Sequence, residues 1–178
     1  MTLACVTGRF QPVHDDHLRL FRQALAGAET LVVAVTNPDP GTYRAEPAAE
    51  HRHRADANPF TYFERLLLLT AAVGAEPALA GRVHVVPFDL ARPEHWGAYV
   101  PLDAVQHVGV YGEWEREKAR RLAAAGYRVV EVPGDPTARR SGTAVRAALR
   151  AGSGWEELVP AATVPRLRGL LGVRGGRL

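Results

Sequence analysis

Two histidines and an arginine stand close together near the N-terminus, in the stretch TLACVTGRFQPVHDDH at residues 2–17. Arg9 is a fixed cation, and His14 and His17 are three residues apart. A helix that begins here would therefore place both imidazoles on one face of its first turn. Free backbone N–H groups and the helix dipole both favour negative charge at such a position. The stretch is predicted to handle phosphate.

The residues around this group predict a strand, a turn and a helix. Leu3 to Val6 are apolar and partly β-branched, as in a strand buried on both faces of a parallel sheet. Gly8 ends that strand where the backbone must turn or approach another group closely, and Pro12 forbids further ladder pairing. Apolar residues at helical spacing, after two aspartates that suit a first turn, predict a helix at 15–26.

Strands and helices alternate through the rest of the chain. Further strands are predicted at 30–35, 83–88, 105–111 and after Gly126, and helices from Pro59 to about 73, at 114–125, from Ser141, and near 155–171. This alternation predicts an α/β fold, with a doubly wound, Rossmann-like parallel sheet of about five strands and a small C-terminal helical appendage. We expect a single domain over 1–172 and a frayed tail over 173–178.

A second group of anion-binding residues lies in RRSGTAVR at 139–146. Ser141 begins a helix whose first full turn ends at Arg146, so hydroxyls, free N–H groups and a guanidinium converge. This arrangement predicts a second anion cradle that faces the first.

The segment from Thr36 to Ala57 is long for a loop and has no periodicity. It is interpreted either as a functional lid, whose HRHR run at 51–54 reaches a substrate phosphate, or as a solvated mobile loop. Glu64 and Arg65 beyond it either brace this loop or form an exposed ion pair.

Composition sets limits on the possible partners. The chain has 178 residues, 47% of them hydrophobic, with a net charge of +3. No apolar run approaches the roughly 20 residues of a membrane helix, so a cytoplasmic protein is expected. The arginines are scattered rather than arranged in a basic stripe, which favours small polyanions over nucleic acid. The single cysteine, Cys5, is interpreted as a core residue.

GRFQPVHDDH resembles the GRFQPFHxGH signature of the HxGH nucleotidyltransferases, and most closely that of the archaeal nicotinamide mononucleotide adenylyltransferases. The stretches NPFTYFER (58–65), DLARPEHW (89–96), RRSGTAVR (139–146) and GSGWEELVP (152–160) also fit that family. The resemblance implies transfer of AMP from ATP to the 5′-phosphate of a nicotinamide or nicotinate ribonucleotide. Pyrophosphate would leave and Mg²⁺ would accompany ATP, with no covalent enzyme intermediate.

The resemblance also implies roles for individual residues. The catalytic group would be His14, His17, Arg9 and Arg146. The residues that bind ATP and its phosphates would be Gly8, Phe10, Arg139, Ser141, Gly142 and Thr143. The acceptor would be bound by Trp96, Asn37 and Arg54, with Trp96 stacked on the pyridine ring unless it serves only for packing. No protein metal site is implied.

Two departures from the family pattern concern the site itself. Asp16 replaces the glycine between the histidines, and a carboxylate ~4 Å from a phosphate charge would cost ~4 kcal/mol at an effective dielectric of 20. At ~100° per residue Asp16 is expected to point away from the two histidines. Glu113 and Trp114 stand where the archaeal enzymes have an Asn-Pro pair, so recognition of the nucleotide or the pyridine there stays open.

Two alternatives accompany the leading hypothesis. One is a cytidylyl- or adenylyltransferase that acts on another phosphate or phosphonate in a specialised pathway. The other is a nucleotide-binding regulator without turnover, for which Asp16 is the best argument. The sequence does not decide whether ATP or CTP is the nucleotide substrate, and it allows a homo-oligomer.

Overall fold

The computed structural model describes residues 2–45, 53–135, 137, 140–176 and 178. Its strands are β1 (Leu3–Gly8), β2 (Thr30–Thr36), β3 (Val83–Phe88), β4 (Val105–Val110) and β5 (Val129–Pro133). Its helices are α1 (Asp15–Leu25), α2 (Tyr62–Gly74), α3 (Trp96–Tyr99), α4 (Glu113–Ala124), α5 (Gly142–Ala151) and α6 (Val164–Val173). The strands form one parallel sheet in the order β3-β2-β1-β4-β5.

The central strand β1 is buried on both faces, as its apolar sequence predicts. Ala4 and Val6 point into one core, whereas Cys5 points into the other. Burial raises the pKa of the Cys5 thiol to about 12, which fits the interpretation of Cys5 as a core residue. The register with β2 runs from Leu3 opposite Thr30 to Gly8 opposite Val35, so both strands end at one edge of the sheet.

Helices cover both faces of the sheet. One core is formed with α1, α2, α5 and α6, and the other with α3 and α4. The predicted doubly wound α/β architecture is therefore confirmed. The strand order reverses between β1 and β4, and ligands of open α/β sheets bind at the carboxyl ends of the strands at such a switch point. No described helix is long and apolar enough to cross a membrane.

The C-terminal residues lie on the domain and pack against it. The predicted appendage consists of two short 3₁₀ turns, at Glu156–Leu158 and Ala161–Thr163, followed by α6. The first residues of the predicted frayed tail are held in place, since Val173 ends α6 and Arg174 pairs with Glu64 at 2.6 Å. Arg174 also donates a hydrogen bond to the carbonyl of Pro59 at 3.1 Å.

Arg65 of α2 braces the loops above the sheet. Its side chain is 1% exposed, which excludes the exposed ion pair. Nη1 donates to the carbonyls of Arg9 and Thr36, both at 2.8 Å, Nη2 to that of Asn37 at 2.6 Å, and Nε to that of Thr61 at 3.2 Å. Burial lowers the pKa of Arg65 to about 10, and the nearby Tyr43 and Tyr62 oppose this shift.

Replacing Arg65 with methionine should lower the free energy of unfolding by about 3 kcal/mol or more, because each buried carbonyl left without a donor costs about 1–3 kcal/mol. Urea unfolding followed by circular dichroism measures the change. The matched control is Arg22→Met, which removes a partly exposed pair with Glu76 and should cost about 1 kcal/mol or less. Equal losses in both variants would contradict the bracing role.

Candidate active site

The turn after β1 is built by a close contact between Gly8 and Phe10. A Cβ atom on Gly8 would lie 2.8 Å from the Phe10 ring, so any larger residue would displace that ring. Phe10 has a positive φ of 50° and is buried, with its ring edge-on to His17 at 4.8 Å and to Phe21 at 5.6 Å between centroids. Phe10 therefore supports His17 by packing, in addition to lining the cavity described below.

Hydrogen bonds from three other segments fix the same turn. Gln11 exchanges two of them with the backbone of Phe60, since its Nε2 donates to the carbonyl and its Oε1 accepts from the N–H, both at 2.9 Å. Lys118 Nζ donates to the carbonyl of Thr7 at 3.0 Å. Arg146 Nη1 donates to the carbonyl of Gln11 at 2.9 Å. Arg65 binds the carbonyl of Arg9, as described above. Cations from three helices thus bind the carbonyls of residues 7, 9 and 11.

The two histidines lie where the spacing predicts. His14 is the N-cap of α1, and its imidazole stacks on that of His17 with 3.7 Å between centroids and 24° between planes. The backbone N–H of His14 donates to Nδ1 of His17 at 3.2 Å. Because Nδ1 accepts this bond, a neutral His17 carries its proton on Nε2, where it is a hydrogen-bond donor suited to a phosphate oxygen.

A cavity of about 130 Å³, which we call the central cavity, opens at the carboxyl ends of β1 and β4. Its basic and imidazole side chains are Arg9, His14, His17, Lys118, Arg140 and Arg146. Its walls also include Gly8, Phe10 and Gly142 from the two predicted phosphate motifs. A small, strongly basic cavity at a topological switch point is suited to binding the phosphates of a nucleotide.

The second predicted cradle lies at the start of α5. The Ser141 hydroxyl accepts from the N–H of Ala144 at 3.2 Å and so serves as the N-cap. A Cβ on Gly142 would lie 3.0 Å from Arg146 Nη1, so a glycine leaves room for the guanidinium. Arg146 is 4% exposed and also donates to the Thr143 hydroxyl at 3.2 Å. Burial lowers the pKa of Arg146. Arg139 lies outside the described residues.

Asp16 connects the two cradles. One carboxylate oxygen accepts from the backbone N–H of Arg140 at 2.9 Å, and the other pairs with Arg19 at 2.9 Å. Asp15 pairs with the Arg140 side chain at 2.7 Å. Asp16 lines the central cavity, so the expectation that it points away from the site is wrong. Its charge is compensated by Arg19 and by a backbone dipole, however, which reduces the repulsion estimated from the sequence.

The predicted acceptor residues are not brought together. Trp96 is 2% exposed, stacks on Phe88 at 5.2 Å, and donates its indole N–H to the carbonyl of Asp89 at 2.7 Å. The structure therefore favours the packing alternative for Trp96, although its edge contributes to the wall of an outer cleft of about 380 Å³. Arg54 is exposed and pairs with Asp56 at 3.1 Å.

Asn37 lines a second cavity of about 20 Å³, which we call the side cavity. Arg9, Arg44, Asp89 and Trp114 also belong to its wall. The predicted lid over this region is described only at its ends, where Pro40–Thr42 and Ala55–Ala57 form 3₁₀ turns. His51 and Arg52 of the HRHR run lie outside the described residues.

A family profile with the description cytidylyltransferase-like matches residues 5–148. A phosphonoformate cytidylyltransferase from Streptomyces viridochromogenes is 39% identical over 160 residues, which cover 88% of this chain and 85% of that protein. The chain belongs to the cytidylyltransferase-like family. Nucleotidyl transfer is thereby supported as its activity.

Other relatives of this cytidylyltransferase-like chain agree with the resemblance seen in its motifs. A nicotinamide-nucleotide adenylyltransferase from Methanoculleus marisnigri is 30% identical over 167 residues, 93% of this chain and 90% of that protein. The fold matches a bifunctional NMN adenylyltransferase/ADP ribose pyrophosphatase from Francisella tularensis with a TM-score of 0.70 at 14% identity. That match covers 96% of this chain but 49% of the other, so the chain spans about half of that protein.

Sequence reasoning did not identify Lys118 as a cavity residue of this cytidylyltransferase-like protein, and it named Trp114 only as a departure from the family pattern. Lys118 is 9% exposed and lies on the buried face of α4, one turn from Trp114 and one turn from Leu122. The sequence does contain a sign of this role, since Lys118 is spaced with the apolar residues on one face of the helix. A lysine is almost never fully buried without a partner, so its position indicates a buried hydrogen-bond or charge partner. Trp114 itself lines both the central and the side cavity.

His17→Ala should lower turnover by roughly 10²-fold or more with little loss of stability, because it removes a positioned donor to the phosphoryl oxygens. Pyrophosphate release measures the rate, and thermal unfolding checks the fold. His84→Ala, which removes an exposed histidine of β3, is the control. Activity equal to the wild type in His17→Ala would remove His17 from the catalytic group.

Asp16→Gly should lower the free energy of unfolding by about 2–4 kcal/mol, since it removes hydrogen bonds to a buried charge and adds a glycine to a helix. Asp15→Gly carries the same glycine penalty at a half-exposed position and is the matched control. Urea unfolding of both variants isolates the contribution of the buried carboxylate. Equal losses would show that the buried carboxylate of Asp16 contributes no more to stability than the half-exposed pair of Asp15 with Arg140.

Proposed function

We propose that this protein transfers the cytidylyl group of CTP to a small phosphonate or phosphate acid and releases pyrophosphate. The burial of Trp96 is the main observation against a pyridine acceptor. Trp96 is the residue expected to stack on a pyridine ring, and it is packed against Phe88 instead. The 39% identity to a phosphonoformate cytidylyltransferase supports both the nucleotide and the acceptor class.

The reaction is an in-line displacement at phosphorus. A lone pair on a phosphonate oxygen forms a new bond to the α-phosphorus of CTP. The bond between the α-phosphorus and the bridging oxygen to the β-phosphate breaks, and pyrophosphate leaves with that electron pair. A phosphonate dianion needs no base, since the attacking oxygen carries no proton. Positioning and charge stabilisation are then the main contributions of the protein.

The central cavity supplies both contributions in this proposal. The triphosphate lies across the N-terminus of α1, where His17 Nε2 donates to the α-phosphate and His14 lies beside it. At the N-terminus of α5, Gly142 and Arg146 of the cavity wall face the β- and γ-phosphates. Ser141 and Thr143 lie beside them, outside that wall, and their hydroxyls bind the N–H of Ala144 and the Arg146 side chain. Arg9 is shared by the central and side cavities and can therefore contact both reactants.

Magnesium is part of the proposal as the counter-ion of the triphosphate. No three His, Cys, Asp or Glu side chains of the described residues are grouped to hold a metal ion. Asp16, a carboxylate of the central cavity, is already bound by Arg19 and Arg140. Such a site fits an ion held mainly through substrate phosphates, as is usual for Mg²⁺. Bound there, the ion would neutralise phosphate charge as pyrophosphate leaves.

A second candidate function is adenylyl transfer from ATP to nicotinamide mononucleotide. Its support is the set of archaeal nicotinamide-nucleotide adenylyltransferases at 26–30% identity, each matched over most of this chain. The outer cleft beside Trp96, Tyr99 and His95 is large enough to hold part of such an acceptor.

Pyrophosphate release over a matrix of nucleoside triphosphates and acceptors tests the proposal. The nucleotides are CTP, ATP, GTP and UTP, and the acceptors are phosphonoformate, a second small phosphonate, and the nicotinamide and nicotinate mononucleotides. We expect CTP with phosphonoformate to give the highest kcat/KM. The highest value for ATP with a pyridine mononucleotide would establish the second candidate instead, and release that needs no acceptor would contradict both.

A further inference from the structure

Trp114 forms a common wall between the two cavities. Among the described residues, only Arg9 and Trp114 line both the central cavity and the side cavity. The acceptor oxygen must reach the α-phosphorus, so the bond between the reactants has to form at this shared wall. The following inference rests on the proposed function in assigning the triphosphate to the central cavity and the acceptor to the side cavity.

The indole of Trp114 is held firmly. It lies in the first turn of α4 and is 8% exposed. The guanidinium of Arg121 lies 5.6 Å from its ring centroid, in the range of a cation–π contact. Arg121 is itself held by Glu117, at 3.1 Å between Nε and Oε1. A ring restrained in this way will not move aside readily to admit a larger ligand.

The space that remains beside this ring is small and polar. The side cavity has a volume of about 20 Å³, against about 130 Å³ for the central cavity. Arg44 belongs to its wall together with Arg9, and its Nη1 is held by the carbonyls of Gly41 at 2.7 Å and Tyr43 at 2.9 Å. A second anionic group of an acceptor would therefore meet two arginines here. Asn37, Thr36 and Thr42 add hydrogen-bonding groups to this wall, and Leu90 and Ala91 add apolar surface. Asp89 adds one carboxylate, so the two arginines leave the wall with a net positive charge.

We infer that Trp114 determines acceptor specificity by leaving room in the side cavity for one small anionic group of the acceptor but not for a ribose and base. The indole occupies the space into which the ribose and base of a mononucleotide acceptor would have to extend when its phosphate reaches the central cavity. A compact phosphonate with a second anionic group needs no such space, and it can bind Arg9 and Arg44 together. The role of Trp114 is steric, which separates it from the packing role of Trp96.

The test compares Trp114→Ala and Trp114→Leu with the wild type. Trp114→Phe keeps a ring at this position, and Trp96→Phe changes a tryptophan of the neighbouring core. Calorimetry gives Kd for nicotinamide mononucleotide and for phosphonoformate. Pyrophosphate release gives kcat/KM for both acceptors, and thermal unfolding checks each variant.

We expect the Kd of nicotinamide mononucleotide to fall at least about tenfold in Trp114→Ala, since a difference of one methylene in a hydrophobic pocket is already worth roughly 10–200-fold and an indole is much larger. The ratio of kcat/KM values should shift toward the mononucleotide, with a smaller shift in Trp114→Leu and ratios near the wild type in both Phe variants. If the alanine variant does not fold, the leucine variant carries the test.

An unchanged Kd for nicotinamide mononucleotide in a folded Trp114→Ala or Trp114→Leu variant would overturn the inference, and so would an equal gain in Trp96→Phe. The proposed function fails separately, if the wild type binds phosphonoformate but forms no cytidylyl product from it. A lowered Kd for the mononucleotide would then still support the steric role of Trp114.

Discussion

The loop after the first strand depends on cations that come from three different helices. The donors are Lys118 of α4, Arg65 of α2 and Arg146 of α5, and the acceptors are the carbonyls of Thr7, Arg9 and Gln11. Thr7 lies near the end of β1, beyond the pairing of that strand with β4, and Arg9 and Gln11 lie beyond the strand and cannot satisfy their carbonyls by ladder pairing. A buried carbonyl without a donor costs about 1–3 kcal/mol. The same bonds fix three helices around one cavity, so the shape of the site and the stability of the domain share a common origin.

Much of this architecture could be predicted from the sequence because its signals are local. The apolar run of β1, the helical spacing after Asp15 and the glycine turns predict the strands, α1 and α4 within one or two residues. The other helices are less accurate, since α2 begins three residues after Pro59, α3 was not predicted, and the stretch near 155–171 contains two 3₁₀ turns before α6. The positions of His14 and His17 follow from spacing alone. The placement of Trp96 does not, because its burial depends on Phe88, which reaches it from the end of a separate strand. Lys118 likewise acquires its role only when α4 packs beside β1, at a sequence distance of 111 residues from its acceptor.

Asp16 shows how the fold can compensate a charged substitution inside a phosphate-binding motif. A carboxylate among phosphate-binding groups is unfavourable when it is considered alone, and the sequence offered it as an argument for a protein without turnover. In the fold, Arg19 and the N–H of Arg140 compensate its charge, and the contact with Arg140 ties α1 to the segment before α5. A glycine at this position would lack that contact, whereas the aspartate adds it at the cost of one buried charge.

The order in which the chain emerges during synthesis gives the carbonyl contacts a further consequence. The partners of residues 9, 7 and 11 follow them by 56, 111 and 135 residues. Contacts this distant in sequence form late, because they require the closure of long loops. The turn after β1 therefore cannot be completed until α2, α4 and α5 have been synthesised. A nascent chain that ends before α5 has both histidines but lacks Arg146 and the second anion cradle. In the proposed function, the ability to hold a triphosphate is thus acquired only after α5 has been synthesised.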